Sequence, residues 1–249
     1  ARTLPHHVMH RPPHLCYRTA RAAMRLITRT HCRTTVTGVE HIPVSGPVIL
    51  AGNHLAACDT YFLYATVPRG VAILGKEEYF TRPGARGRLM AHYYRRLGIL
   101  PVDRYGGPAA ARGVLDTGRG VLESGGLLAL YPEGTRSPDG RLYRGRPGAA
   151  ALALISGAPL IPFGISGTER VQPIGSAGLR SHPVRVRFGP PLAVEAGERR
   201  ADGFPTTAAL RETTLHLMHR IAELSGQEFV DLPAPRKASP AWRSPHEQG

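Results

Sequence analysis

From about Val36 onward, short apolar runs alternate with stretches of helical periodicity, the pattern of an α/β domain. Val48–Ala51, Val71–Leu74, Leu127–Tyr131, Leu160–Ile165 and Val184–Phe188 predict strands. Between them Ala111, Leu115, Gly118 and Leu122 recur at helical spacing, and Gly148–Ile155 predicts a further helix. Leu210, Thr214, Leu217, Ile221 and Leu224 predict the last helix, with Pro205 near its start and Gly226 just past its end. Pro147–Thr168 is uncharged over 22 residues, nominally enough to cross a bilayer, but Gly157, Pro159 and Pro162 interrupt it. A short helix followed by a buried strand is expected there instead.

The two ends read differently. Residues 1–14 are rich in Pro and His and predict an irregular lead-in. Leu15–Thr30 predicts a basic amphipathic helix, with Cys16, Ala20, Ala23 and Ile27 on one stripe and Arg18, Arg21, Arg25 and Arg29 mostly off it. Such a helix either packs on its own domain or lies on an anionic membrane surface. Leu232–Gly249 is Pro, Ser and charge with little to bury, which predicts a disordered tail. The expectation is a single α/β domain over 36–230 with a mostly parallel central sheet flanked by helices. The basic amphipathic helix and its lead-in (1–35) precede it, and a tail (231–249) follows.

Length and composition agree with one globular domain: 249 residues, 42% hydrophobic and 20% charged. A mean hydropathy of -0.19 argues against a polytopic membrane protein. No charged segment leads into an apolar core and cleavage site, so no secretory signal is read, although a chain opening at Ala1 leaves an upstream segment open. Three cysteines without metal-type pairing suit a reducing compartment, and a cytoplasmic location, peripheral on the inner face of the cell membrane, is expected. The formal charge is +14, from 32 Lys+Arg and 18 Asp+Glu, so the partner is expected to be acidic. Nucleic acid is the rival partner, but the chain is only 6% aromatic and shows no helix-turn-helix, zinc-finger or RNP-type pattern. No nucleic acid is expected. A metal at His6, His7, His10, His14 and Cys16 is not expected either, because the Pro-rich segment offers no rigid helix to present them.

Candidate chemistry gathers at the ends of the predicted strands, where α/β sheets bind ligands. Val48–Ala51 runs into Gly52-Asn53-His54-Leu55-Ala56-Ala57-Cys58-Asp59. In an unbroken helix His54 and Asp59 would point about 140° apart, at roughly 100° per residue. They can pair only if His54 sits in a non-helical turn and Asp59 in the first turns of the following helix. The carboxylate would then accept Nδ1–H and leave Nε2 to take a proton. A turn histidine beside an unrelated helix-start aspartate satisfies the same spacing.

After Leu127–Tyr131 comes Pro132-Glu133-Gly134-Thr135-Arg136-Ser137, continuing through Asp139 and Gly140 to Arg141, Arg144 and Arg146. Its amides, hydroxyl and guanidinium forks suit a phosphate, and a plain solvated loop suits the composition equally. Gly98-Ile99-Leu100-Pro101-Val102-Asp103-Arg104 and Lys76, the only lysine before the tail, add cations at the same predicted edge.

Taken in order, Asn-His-x4-Asp, a lysine after the next strand, Gly-x-x-x-Val-Asp-Arg, Tyr-Pro-Glu-Gly-Thr-Arg-Ser and Pro159–Ile165 resemble the glycerophospholipid acyltransferase family, whose best-known members are 1-acyl-sn-glycerol-3-phosphate acyltransferases. The resemblance implies transfer of a fatty acyl group from acyl-CoA or acyl carrier protein to the free hydroxyl of a lysophospholipid, expected to be 1-acyl-sn-glycerol-3-phosphate and to give phosphatidic acid, without metal or other cofactor. It implies His54 as general base with Asp59 as its partner. Arg104, Glu133, Gly134, Thr135 and Arg136, with Lys76 as a further candidate, would bind the glycerol phosphate, and Pro159–Ile165 would line the acyl-donor side. Another lysolipid, a glycolipid or a natural-product hydroxyl are alternative acceptors. Two departures stand out: Ala56 where relatives often have Ser, and a leading helix less hydrophobic than in many relatives. Cys58 is expected to be a packing residue rather than a nucleophile, since the chemistry needs no acyl-enzyme.

Overall fold

The computed structural model describes residues 15–103, 107–176, 178–194 and 198–235. The elements run α1 (Leu15–Thr30), β1 (Thr35–Thr37), β2 (Val48–Gly52), α2 (Asp59–Thr66), β3 (Val71–Lys76), α3 (Gly84–Arg96), β4 (Ile99–Val102), α4 (Gly107–Glu123), β5 (Leu127–Leu130), β6 (Leu142–Tyr143), α5 (Gly148–Ser156), β7 (Leu160–Ser166), α6 (Thr168–Val171), β8 (Arg185–Phe188), α7 (Thr207–Ser225) and β9 (Phe229–Val230). The expected lead-in and its histidines, Arg104 and the tail beyond residue 235 lie outside the described residues.

Seven strands form one sheet in the order β1-β8-β7-β2-β5-β3-β4, and β6 pairs with β9 separately. Every neighbouring pair in the large sheet is parallel except β7 with β8. The period-two alternation of the strands splits the core into two layers. Val48, Leu50, Val71, Ile73, Leu127, Ala129, Ile161 and Phe163 face α1 and α2. Ile49, Ala51, Ala72, Leu74, Leu128 and Leu160 face the other layer, which holds Val121 and Leu122 of α4, Leu152 of α5, and Leu217 and Ile221 of α7. The uncharged stretch 147–168 is α5 followed by β7, and both are buried, as their apolar composition requires.

α1 has the expected bounds but not the expected packing stripe. Tyr17 and Thr28 are buried, and Ala20 and Met24 pack on the core, while Ile27 of the predicted stripe is exposed together with Leu15 and Leu26. Polar anchors set this rotation. The Tyr17 hydroxyl accepts from the Val71 amide, and the Arg21 guanidinium donates to the Tyr64 and Val67 carbonyls at the end of α2, whose last carbonyls lack partners within the helix. α7 begins on Thr206, whose hydroxyl accepts from the Ala209 amide, and ends at Gly226. The ordered chain continues past Val230: Arg144 binds the Asp231 side chain, and its amide donates to the Leu232 carbonyl.

Candidate active site

Sheet order places the two strongest motifs side by side. β2 and β5 are parallel neighbours in register, Ala51 opposite Leu130, so the segments leaving their carboxyl ends start next to each other. β2 continues as Gly52 and Asn53. A Cβ at residue 52 would lie 2.4 Å from the Phe163 ring, so only glycine lets that ring cross the strand end. Asn53 is fully buried and extends the β2–β7 ladder with its side chain: its amide nitrogen donates to the Ile165 carbonyl and its oxygen accepts from the Ile165 amide, both at 2.8 Å. Asn53 therefore fixes the backbone from which His54 emerges.

His54 lies in irregular chain and Asp59 opens α2, the arrangement that the five-residue spacing demands. His54 Nδ1 is 2.8 Å from Asp59 Oδ2. That oxygen also accepts from the amides of Leu55 at 2.7 Å and Ala56 at 3.0 Å, so the carboxylate reaches back and clamps the loop between imidazole and helix. Asp59 is fully buried, whereas the His54 side chain retains 15% exposure. Nε2, the ring nitrogen that Asp59 does not engage, is left to act on a ligand. Ala56, where relatives often have Ser, is buried in the core and contributes only its amide.

One participant escaped the sequence reading. The Tyr131 ring at the end of β5 stacks on the His54 imidazole with centroids 4.0 Å apart and planes 13° from parallel. Behind it stands Phe163, edge-on at 6.1 Å. Asp59 thus holds the imidazole in its plane and Tyr131 covers a face. The first aromatic of Tyr-Pro-Glu-Gly-Thr-Arg was the available signal, and only the β2–β5 pairing gives it meaning.

The rest of that loop divides into supports and exposed groups. Glu133, expected as an acceptor ligand, is only 4% exposed; its Oε1 accepts from the Tyr143 amide at 2.9 Å, and its Oε2 has no hydrogen-bond partner among the described residues. Burial pushes its carboxyl up to about 7, partly offset by the Tyr143 and His54 amides. Ser137 donates its amide to the His54 carbonyl at 2.7 Å, tying the two motifs together. Gly134 has φ 71, which favours glycine, and a Cβ there would sit 3.0 Å from Nε of Arg146. Thr135 is exposed and Arg136 half-buried.

Two of the loop's arginines are already engaged: Arg141 with Asp139 and Arg144 with Asp231. Arg136 and Arg146 have no carboxylate within ion-pair range among the described residues, and they are the cations this loop offers an anion. Lys76 ends β3 and pairs in register with Val102 of β4, on the same carboxyl edge. Cys58 is fully buried, and burial followed by the Asp59 charge pushes its thiol up to about 12, so it is a packing residue without thiolate character.

The chain matches the family model described as Acyltransferase over residues 33–166. It is 30% identical over 157 residues to the 1-acyl-sn-glycerol-3-phosphate acyltransferase of Limnanthes alba, covering 63% of this chain and 53% of that protein. It is 25% identical over 171 residues to the enzyme of the same name from Pseudomonas aeruginosa, covering 68% and 63%. The chain spans about half the length of the plant relatives it matches. The crystal structure of the 1-acyl-sn-glycerophosphate acyltransferase of Thermotoga maritima superposes with a TM-score of 0.60 over 83% of this chain and 78% of that one, at 24% identity, and shares the fold. The matched span runs from just before β1 to the end of β7 and takes in both motifs that meet at the imidazole, and by that match this chain belongs to the acyltransferase family.

Proposed function

We propose that the protein transfers a fatty acyl group from an acyl thioester, acyl-CoA or acyl carrier protein, to the free hydroxyl of 1-acyl-sn-glycerol-3-phosphate, giving phosphatidic acid, with no resident metal or other cofactor. The observation that carries this reading is the 2.8 Å contact between His54 Nδ1 and Asp59 Oδ2 beside a loop whose Arg136 and Arg146 have no carboxylate partner among the described residues. His54 Nε2 takes the acceptor's hydroxyl proton as that oxygen attacks the thioester carbonyl. The C–S bond then breaks and the departing thiolate takes the proton back from the imidazolium. Base catalysis of this type supplies roughly 10²–10⁴-fold, and orientation by the phosphate contacts adds to it. Arg136, Arg146, the Gly134 and Thr135 backbone, Arg104 and Lys76 are assigned to the acceptor phosphate, and Pro159–Ile165 to the donor side. Glu133 serves this site by holding the loop.

No helix among the described residues is long and apolar enough to cross a membrane. We assign the protein to an anionic membrane surface on the cytoplasmic side, where α1 exposes Leu15, Leu26 and Ile27 among Arg18, Arg25 and Arg29.

The test is a radiolabelled acyl-CoA assay comparing lysophosphatidate with its uncharged monoacylglycerol analogue. Turnover at least tenfold better with lysophosphatidate, lost by a hundredfold or more in a folded His54→Ala variant, is the expected result. Equal use of the two acceptors removes the phosphate from the reading, and near-normal turnover by His54→Ala removes the base.

A further inference from the structure

α3 carries two faces. Gly87, Ala91 and Tyr94 point inward, and Phe80 and Tyr79 of the preceding segment pack their rings on Tyr94 at 6.0 and 5.9 Å. Arg86, Leu89, Met90 and Tyr93, at i, i+3, i+4 and i+7, share the outer face, where Leu89 is 68% exposed and Met90 and Tyr93 are also exposed. A surface helix ordinarily turns such a stripe inward, so an outward one asks for an occupant. Tyr79, in the turn before the helix, is exposed as well.

Charge decides the occupant. From Tyr79 to Val102 the chain carries five arginines and no Asp or Glu, in a protein of formal charge +14. A second copy would bring the same positive surface and repel. A bilayer with anionic headgroups matches both halves of the pattern. Tyrosines favour the boundary between acyl chains and water, exposed Leu and Met enter the acyl region, and each arginine near the surface strengthens attachment by about fivefold.

We infer that the outer face of α3, with Tyr79 of the preceding turn, is a docking surface for an anionic lipid bilayer, distinct from α1. It lies on the chain segment that follows β3, whose carboxyl end shares the sheet edge with His54, so docking there brings a membrane-borne acceptor to the site. This last step rests on the acyltransferase reading; the binding itself does not.

The test is flotation of the full chain with vesicles of phosphatidylcholine alone and of phosphatidylcholine containing phosphatidylglycerol. The wild type is expected to float with the anionic vesicles and to be released by salt. The Leu89→Asp/Met90→Asp variant should bind at least tenfold more weakly, and Arg86→Glu should also weaken binding. Leu215→Asp, an exposed position on α7 across the sheet, should bind as the wild type does. Acyl transfer to a dispersed short-chain acceptor should stay within twofold in the Leu89/Met90 variant while transfer to acceptor held in vesicles falls. If no acyl transfer is detected at all, the flotation result still decides the docking surface. Flotation of the Leu89/Met90 variant equal to the wild type's, equal binding to neutral and anionic vesicles, or a wild-type dimer that these substitutions dissolve would each overturn it.

Discussion

Replacing Asp59 by Asn isolates what its charge does. Oδ2 accepts three hydrogen bonds, from His54 Nδ1 and from the Leu55 and Ala56 amides, while Oδ1 is buried with no hydrogen-bond partner among the described residues. An asparagine can keep its carbonyl oxygen in the Oδ2 position and place its NH₂ where Oδ1 was, so the clamp on the loop survives. What disappears is the negative charge facing an imidazole that, in the proposed mechanism, becomes positive as it accepts the hydroxyl proton. With charge centres roughly 4 Å apart and an effective dielectric constant near 20, that interaction is about 4 kcal/mol, or roughly a thousandfold in rate. Asp59→Ala differs: it strands two buried amides at about 1–3 kcal/mol each and loosens the loop as well. The assay pairs kcat from acyl-CoA turnover with thermal unfolding. Asp59→Asn should lose about 10³ in kcat with a melting temperature within a few degrees of wild type, and Asp59→Ala should lose both. A folded Asp59→Asn retaining more than a tenth of wild-type kcat would refute the role given to the carboxylate.

Among the loop arginines, Arg136→Ala and Arg146→Ala should each raise the acceptor KM by about tenfold or more, because a hydrogen bond to a charged group contributes about 1.5–3 kcal/mol. Arg141→Ala and Arg144→Ala, which remove half-exposed guanidiniums already paired with Asp139 and Asp231, should change it less than threefold. A stacked aromatic contributes about 0.5–1.5 kcal/mol, so Tyr131→Leu should lower kcat by up to about tenfold at nearly constant KM, and Tyr131→Phe should restore it. Equal kinetics for Tyr131→Leu and wild type would reduce the stack to packing. Glu133 gives a pH signature. Its native carboxyl ionises near 7 against 4.5 for an ordinary glutamate, so between those values the unfolded chain binds fewer protons and native stability falls as pH rises, by about 3 kcal/mol in all. Glu133→Gln cannot titrate, so in urea unfolding it should gain stability relative to wild type from about pH 4.5 to 7. A pH-independent difference would contradict a buried, neutralising carboxyl.

What the sequence made legible follows a physical rule. Buried parallel strands are continuous apolar runs bounded by Gly and Pro, so β2, β3, β5 and β7 could be read within two residues; β8, with Arg185 and Arg187 between Val184, Val186 and Phe188, was legible from alternation, and α5 and α7 from their periodicity and stops. α3 could not, because only Gly87 and Ala91 are fully buried in it and its apolar stripe faces outward. The α1 stripe was read one face off, since hydrogen bonds from Tyr17 and Arg21, rather than hydrophobicity, fix its rotation. The same distinction separates the site residues. For His54 and Asp59 the spacing said only that pairing needs a turn before the helix, which an unrelated turn histidine also satisfies; the resemblance supplied the pairing, and the structure brings the two groups to 2.8 Å. Glu133, Tyr131 and the choice between Arg136 or Arg146 and Arg141 or Arg144 depend on which strand ends meet and on partners as far away as Asp231. Sheet order supplies that information. Had β5 paired elsewhere than beside β2, the same motifs would have lain apart, and Tyr131 could not have stacked on the imidazole that Asp59 holds.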